Sequence, residues 1–160
     1  MRDLHSIIRL RNIHLNDLIK LSKSEGFPYV VTDCIKHRLQ IYFLSGENPI
    51  GPGTQIYGCY AATDDSKKPE LVGVMTATYM YVSPHIDSPG GKTVQISGAY
   101  VRPDMRHNGI ATKLLKAIEE DAGQHFDADY LCCDSSADDV YKKAGFIESS
   151  ESRLWKKLRG

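Results

Sequence analysis

Val101-Arg102-Pro103-Asp104-Met105-Arg106-His107-Asn108-Gly109-Ile110-Ala111-Thr112 carries the end of a strand through a proline-containing turn into the start of a helix. Upstream, Thr93 to Val101 alternates Val94, Ile96 and Tyr100 with Thr93, Gln95 and Ser97, the period of a central strand. Downstream, Gly109 to Ala122 sets Ile110, Leu114, Ala117 and Ile118 on one stripe, with Ala111, Leu115 and Ala122 beside it, which is helical spacing. The turn between them is expected to bind an anion. The first helical amides lack intrahelical acceptors, the helix dipole is positive at that end, and Gly109 and Ala111 leave the backbone open to a ligand. Arg106 adds a cation and Thr112 a hydroxyl, so a pyrophosphate placed there accepts several charge-assisted hydrogen bonds at once. The plainer alternative is a helix start whose small residues only ease packing on a sheet.

Working outward, Ile7 to Leu10 reads as a short strand, and Leu15, Leu18, Ile19 and Leu21 as a helix that Gly26 terminates. Thr32 or Asp33 caps a second helix carrying Ile35, Leu39, Tyr42 and Phe43, which closes near Ser45. Gln55 to Ala62 and Leu71 to Val82 are two antiparallel strands, separated by the polar stretch Thr63 to Glu70. After the central strand and its helix, Ala128 to Cys133 is a buried strand, Ala137 to Ala144 a short helix ended by Gly145, and Phe146 to Leu158 a terminal strand pair. The fold class expected is α+β, a mixed central sheet of six to seven strands flanked by four helices, in one domain over residues 1–160.

Composition narrows the function. Lysine and arginine together number 20, as do aspartate and glutamate, so no global positive field holds nucleic acid or an anionic membrane. No apolar run approaches the roughly 20 residues that span a bilayer, and Met1 to His5 lacks the order of a secretory signal. A cytoplasmic protein with reduced Cys34, Cys59, Cys132 and Cys133 is expected. Gly91-Lys92-Thr93 lacks the upstream glycine of a P-loop, Ile86 standing there, and the six histidines form no i, i+4 ligand pair. No metal is implied. From Glu119 to Asp139 the chain carries eight acids and no lysine or arginine, read as a solvated face or as a bias toward cationic amines.

Arg106-His107-Asn108-Gly109-Ile110-Ala111 resembles the acyl-CoA signature of the GNAT acetyltransferase superfamily: Arg or Gln, two residues, Gly, one residue, then Gly or Ala. Asp134-Ser135-Ser136-Ala137-Asp138-Asp139-Val140-Tyr141-Lys142-Lys143-Ala144-Gly145-Phe146 is similar to that family's Asn-x-x-Ala-x-x-x-Tyr-x-Lys-x-Gly-Phe segment, in the expected order and separation. The resemblance covers nearly the whole chain, residues 1–53 by pattern only. It implies an acyl-CoA-dependent N-acyltransferase, most simply using acetyl-CoA, without a metal.

Mapped residue by residue, the resemblance gives Tyr100 and Val101 to the pantetheine arm, which behaves like an added strand. It lays the pyrophosphate on the amides of His107, Asn108, Gly109, Ile110, Ala111 and Thr112, closed by Arg106. It makes Tyr141 the group that protonates the departing thiolate. A thiol of pKa about 8.5 needs little help from a phenol of pKa about 10. Two positions depart from the family. Gln95 stands where a glutamate is common, and it orients water but accepts no proton. Asp134 replaces an asparagine that contacts the cofactor arm. The base is unassigned, with His85, Asp87 and His107 as candidates. The basic tail, Arg153, Lys156, Lys157 and Arg159, either meets the 3'-phosphate of CoA or keeps the last strand soluble. Acceptors implied are a small-molecule amine or a peptide amine, gripped by Phe27 to Val31, Asp33 to Phe43 and Tyr79 to Asp87, and the resemblance allows a homodimer. Gln95 also motivates a rival from another class, a CoA-binding regulatory or partner-binding module with weakened catalysis.

Overall fold

A computed structural model describes residues 5–9, 13–27, 53–62, 68–84, 90–134, 139–148 and 153–158. The elements run β1 (His5–Arg9), α1 (Leu15–Ser22), β2 (Gly53–Ala61), β3 (Glu70–Val82), β4 (Gly91–Val101), α2 (Ile110–Gln124), β5 (Tyr130–Asp134), α3 (Asp139–Lys143), β6 (Ile147–Glu148) and β7 (Arg153–Lys157). Seven strands form one sheet in the order β1-β2-β3-β4-β5-β7-β6. All neighbours are antiparallel except β4 and β5, so the sheet is mixed, as the sequence suggested. The helix expected within Asp33 to Phe43, and Cys34, lie outside the described residues. Among those described, no helix is long and apolar enough to cross a membrane.

Each face of the sheet is covered by a helix whose apolar spacing matches it. On one face Ile110, Leu114, Leu115, Ile118 and Ala122 of α2 pack on Tyr57 and Cys59 of β2, Met75 and Ala77 of β3, and Val94 and Ile96 of β4. On the other, Leu18 and Leu21 of α1 join Ile13, Ile56, Leu71, Val74 and Tyr100. Burying one side chain such as Leu114 contributes on the order of 1.5–3 kcal/mol. Cys133 of β5 belongs to the α2 face, while Cys132 is opposite Gln95 in the parallel ladder, so the adjacent thiols are divided between faces.

The register of β4 corrects one expectation. Ser97 is opposite Thr76 and Tyr100 is opposite Val74, so β4 spends three steps where β3 spends two. The extra residue falls at Gly98 and Ala99, and Gly98 takes φ 62, the left-handed conformation that a glycine bulge uses. Strict alternation puts Tyr100 beside Val94 and Ile96. The bulge instead turns Tyr100 onto the α1 face and Val101 onto the α2 face. A second irregularity between β2 and β3, at Cys59/Tyr60, admits Val72 as the additional residue on β3.

The parallel ladder of β4 with β5 ends at Ile96 and Cys133, whereas β4 continues through Val101. β5 runs only one residue further, to Asp134, so from Ser97 onward β4 extends past the parallel pairing toward the start of α2. β5 begins two residues later than the expected Ala128, because the Ala128 N–H closes the end of α2 on the Ala122 carbonyl at 2.9 Å.

The acidic stretch is only partly a solvated face. The Tyr57 hydroxyl donates to Asp121 Oδ2 at 2.7 Å and lies 2.6 Å from the Tyr79 hydroxyl, so the proton between the phenols comes from Tyr79. Burial, first of all, and then Tyr79 and Asp121 push the Tyr57 phenol far above its usual pKa. Asp129 accepts from the Lys92 amide at 3.1 Å, and Glu119 pairs with Lys156 at 2.8 Å. The chain Tyr79 to Tyr57 to Asp121 pins α2 to the sheet. Replacing Tyr57 by Phe removes the link while keeping the ring, and is expected to cost about 1–3 kcal/mol. Urea unfolding checks this: the midpoint falls and the slope stays that of the parent.

Candidate cofactor-binding cleft

The chain leaves β4 under close control. The Arg102 N–H donates to the Val72 carbonyl at 2.7 Å, extending the β3 ladder past the strand end, and Pro103–Met105 form one 3-10 turn in which the Met105 N–H reaches the Arg102 carbonyl at 2.8 Å. Two residues then take left-handed backbone, His107 at φ 65 and Gly109 at φ 74. The Asn108 side-chain amide donates back to the Met105 and Arg106 carbonyls at 3.0 and 3.1 Å, which staples the loop between them. Successive turns of this kind make backbone N–H groups converge.

Helix α2 opens without a cap. Its N-cap is Gly109, which has no side chain to offer, and its first turn carries no acidic residue. The first intrahelical bond runs from the Lys113 N–H to the Gly109 carbonyl at 3.0 Å, so the amides of Ile110, Ala111 and Thr112 precede the helical ladder. A Cβ built on Gly109 meets nothing within 4 Å, so the space above the turn is open. The arrangement offers orphan donors, an uncompensated dipole and room, which is what an anion needs.

These atoms line a cleft of about 680 Å³. Of the residues singled out for the cofactor, Tyr100, Val101, Arg106, His107, Gly109, Ile110, Ala111 and Thr112 border it. Asn108 does not border it, because its side chain is turned onto the loop. Asp134 ends β5 in register with Arg153. Backbone donors, an uncapped helix start and open space therefore meet at one end of the cleft.

Arg106 sits against the strand. Its Nε donates to the Val101 carbonyl at 3.0 Å, and its guanidinium carbon lies 5.8 Å from the centre of the Tyr100 ring. Tyr100 in turn donates its hydroxyl to the Glu25 carbonyl at 2.8 Å and meets Phe27 edge to face at 4.9 Å. That side chain ties the turn after α1 to β4, which brings Gly26 to the rim of the cleft.

Tyr141 is buried, 5% exposed, with its ring edge-on to Phe146 at 5.5 Å and within the core under α2. The wall that α3 gives the cleft is Val140. Gln95, half-buried, stands opposite Thr78 on the α1 face. His107 is exposed at the rim; His85 and Asp87 lie outside the described residues. Lys156 of the basic tail is engaged by Glu119 and by the Ala144 carbonyl at 2.6 Å, so it closes the end of α3 instead of facing the cleft. Sequence reasoning missed Gly26, Val74, Met75, Met105 and Val140 as lining residues. Val74 and Met75 reach the cleft across the β3–β4 register, for which no local signal exists. Val140 is one position from Tyr141, so the tyrosine segment held the signal without the direction.

A family model described as the acetyltransferase (GNAT) family matches residues 16–146. No curated protein matches the sequence. Among solved structures, Arabidopsis thaliana NAA60 in complex with a bisubstrate analogue superposes with a TM-score of 0.68 at 14% identity, over 98% of this chain and 99% of that one. An acetyltransferase of the GNAT family from Staphylococcus aureus Mu50 gives 0.64 at 15% identity, over 97% and 99%. AAC(6')-Iy in complex with CoA-S-monomethyl-acetylneamine gives 0.65 at 20% identity, over 91% and 92%. With the bulged fourth strand, its extension past the parallel pairing and the uncapped second helix described above, the match over residues 16–146 establishes that this chain belongs to the GNAT acetyltransferase family.

Proposed function

We propose that the chain is an acyl-CoA-dependent N-acyltransferase that moves an acetyl group from acetyl-CoA to a primary amine by direct attack on the thioester. One observation carries the proposal: two left-handed residues and an uncapped helix start aim the amides after Arg106 into one cleft. In this reading those amides and Arg106 hold the diphosphate, and the open edge of β4 at Tyr100 and Val101 lies along the pantetheine arm. When bound, acetyl-CoA supplies an activated acyl carbon and a thiolate leaving group.

The chain's own residues then have two tasks. The acceptor nitrogen must arrive neutral; Gln95 orients water without accepting a proton, so the base is left unassigned. As the C–N bond forms and the C–S bond breaks, the Tyr141 phenol gives its proton to sulfur. The acceptor is a small-molecule amine or a peptide amine; the first is supported by AAC(6')-Iy, solved with CoA-S-monomethyl-acetylneamine. The rival reading, a CoA-binding module with weakened catalysis, rests on Gln95 and on Val140 rather than Tyr141 forming the cleft wall.

Three measurements check this. Calorimetric titration with acetyl-CoA is expected to show saturable binding, and its absence at millimolar ligand ends the proposal. Gly109→Ala places a Cβ on left-handed backbone at a cost of about 1–2 kcal/mol, and weakens acetyl-CoA by about tenfold. Tyr141→Phe keeps the affinity and lowers kcat by about 10²-fold or more, read as thiol release over polyamines, aminoglycosides, amino acids and peptides. Steady release with any acceptor excludes the non-enzymatic module, while an unchanged kcat in Tyr141→Phe removes the tyrosine from the mechanism.

A further inference from the structure

A second cleft of about 600 Å³ lies between α1, the start of β3 and Arg102. Its wall matches charge with charge. The Tyr60 hydroxyl donates to Asp17 Oδ2 at 2.7 Å, Lys20 pairs with Glu70 at 3.4 Å, and Arg102 Nη1 donates to Glu70 Oε2 at 2.9 Å. Charges satisfied within the wall describe a seam between elements better than a ligand site. The seam ends on the loop that the acyl-CoA cleft depends on.

Arg102 is the joint. Its Nε and Nη2 grip the two oxygens of Asp104 at 2.6 and 3.0 Å, a fork that fixes the carboxylate in its plane. Asp104 is the middle residue of the 3-10 turn that leads into His107 and Gly109. Both main-chain groups of Arg102 are also committed, its N–H to Val72 and its carbonyl to Met105. The Arg102 side chain is 22% exposed, whereas Asp104, Glu70 and Lys20 are 58%, 51% and 75% exposed, so the guanidinium is the sheltered member of the ladder and the Lys20–Glu70 pair adds little. Hydrogen bonds from Arg102 hold the Glu70 and Asp104 carboxyls below the usual carboxylate range.

We infer that Arg102 is a positioning residue, whose fork on Asp104 and hold on Glu70 set the 103–109 turn in the shape that presents its amides to an anion. A turn ordered beforehand spares the ligand the entropy of ordering it. The affinity consequence rests on the acyl-CoA reading given above; the ordering of the turn does not.

Two readouts separate the two. The first is acetyl-CoA affinity by calorimetry in Arg102→Gln, Asp104→Asn and the double variant, with Lys116→Gln on the exposed face of α2 removing the same charge elsewhere. Each single variant at the fork is expected to raise Kd about tenfold, and the double variant no further, because one interaction is lost once. Arg102→Lys keeps the charge without the fork and is expected to stay weakened. The second readout is hydrogen exchange without ligand at the Arg102 and Met105 amides, which are bonded to the Val72 and Arg102 carbonyls, expected to accelerate about tenfold in both single variants and to be unchanged in Lys116→Gln.

Exchange within about twofold of the parent in both single variants overturns the inference, whatever the affinities. So does weakened binding in Arg102→Gln with parental binding in Asp104→Asn, since that pattern makes Arg102 a direct ligand contact. Equal losses in Lys116→Gln assign the effect to long-range charge and overturn it as well. If the parent binds no acetyl-CoA, the acyl-CoA reading falls and the exchange result alone decides. Should Arg102→Gln fail to fold, Asp104→Asn carries both readouts.

Discussion

The end of the β4–β5 pairing at Ile96 and Cys133 is the constraint on which the site depends. Two parallel strands joined only as far as Ile96 and Cys133 leave the last residues of β4 with an open edge, and the next element of the chain must start beside that edge. That element is α2, whose apolar stripe must lie on the same face as Val94 and Ile96. The helix can satisfy that packing and still begin beside that edge only if the connection is short and turns sharply. Two left-handed residues in the span from Arg106 to Gly109 supply the turn. Packing of the core thus fixes where the positive end of the helix points.

The helix start also shows where local stability and ligand binding compete. Serine or aspartate at the N-cap would satisfy one amide and would also occupy the space that an anion takes. Glycine there gives up only a few tenths of a kcal/mol relative to those caps. The stability of α2 rests instead on Leu114 and Ile118 in the core and on the Tyr79-Tyr57-Asp121 chain near its other end. Because the anchors are side chains in the core, Ile110 of the first turn among them, the amides of that turn are left free to present donors.

Much of the fold was legible because its signals are local. The period of Gln55 to Ala62 and Leu71 to Val82 gave adjacent antiparallel strands, and the spacing from Ile110 to Ala122 gave the long helix. The uncapped turn before α2 was legible because glycine, a preceding arginine and an amphipathic run fall in one short stretch. Alternation alone places Tyr100 on the wrong face because a single left-handed glycine inverts it, and nothing in a one-dimensional pattern marks Gly98 as a bulge rather than as part of the strand. The acidic run from Glu119 to Asp139 looked uniformly solvated, yet Glu119, Asp121 and Asp129 each found a partner from a distant element.

Among the described residues, the sequence by itself determined most of the strands and helices and the open turn after β4, since both depend on neighbours within a few positions. Only the tertiary structure decided that Gly26, Val74 and Val140 close the cleft, that Tyr141 lies within the core and that Arg102 joins Glu70 to Asp104. Those outcomes depend on the register between strands and on which helix covers which face. They are set by many weak contacts acting together across the chain, so no short stretch of residues contains them.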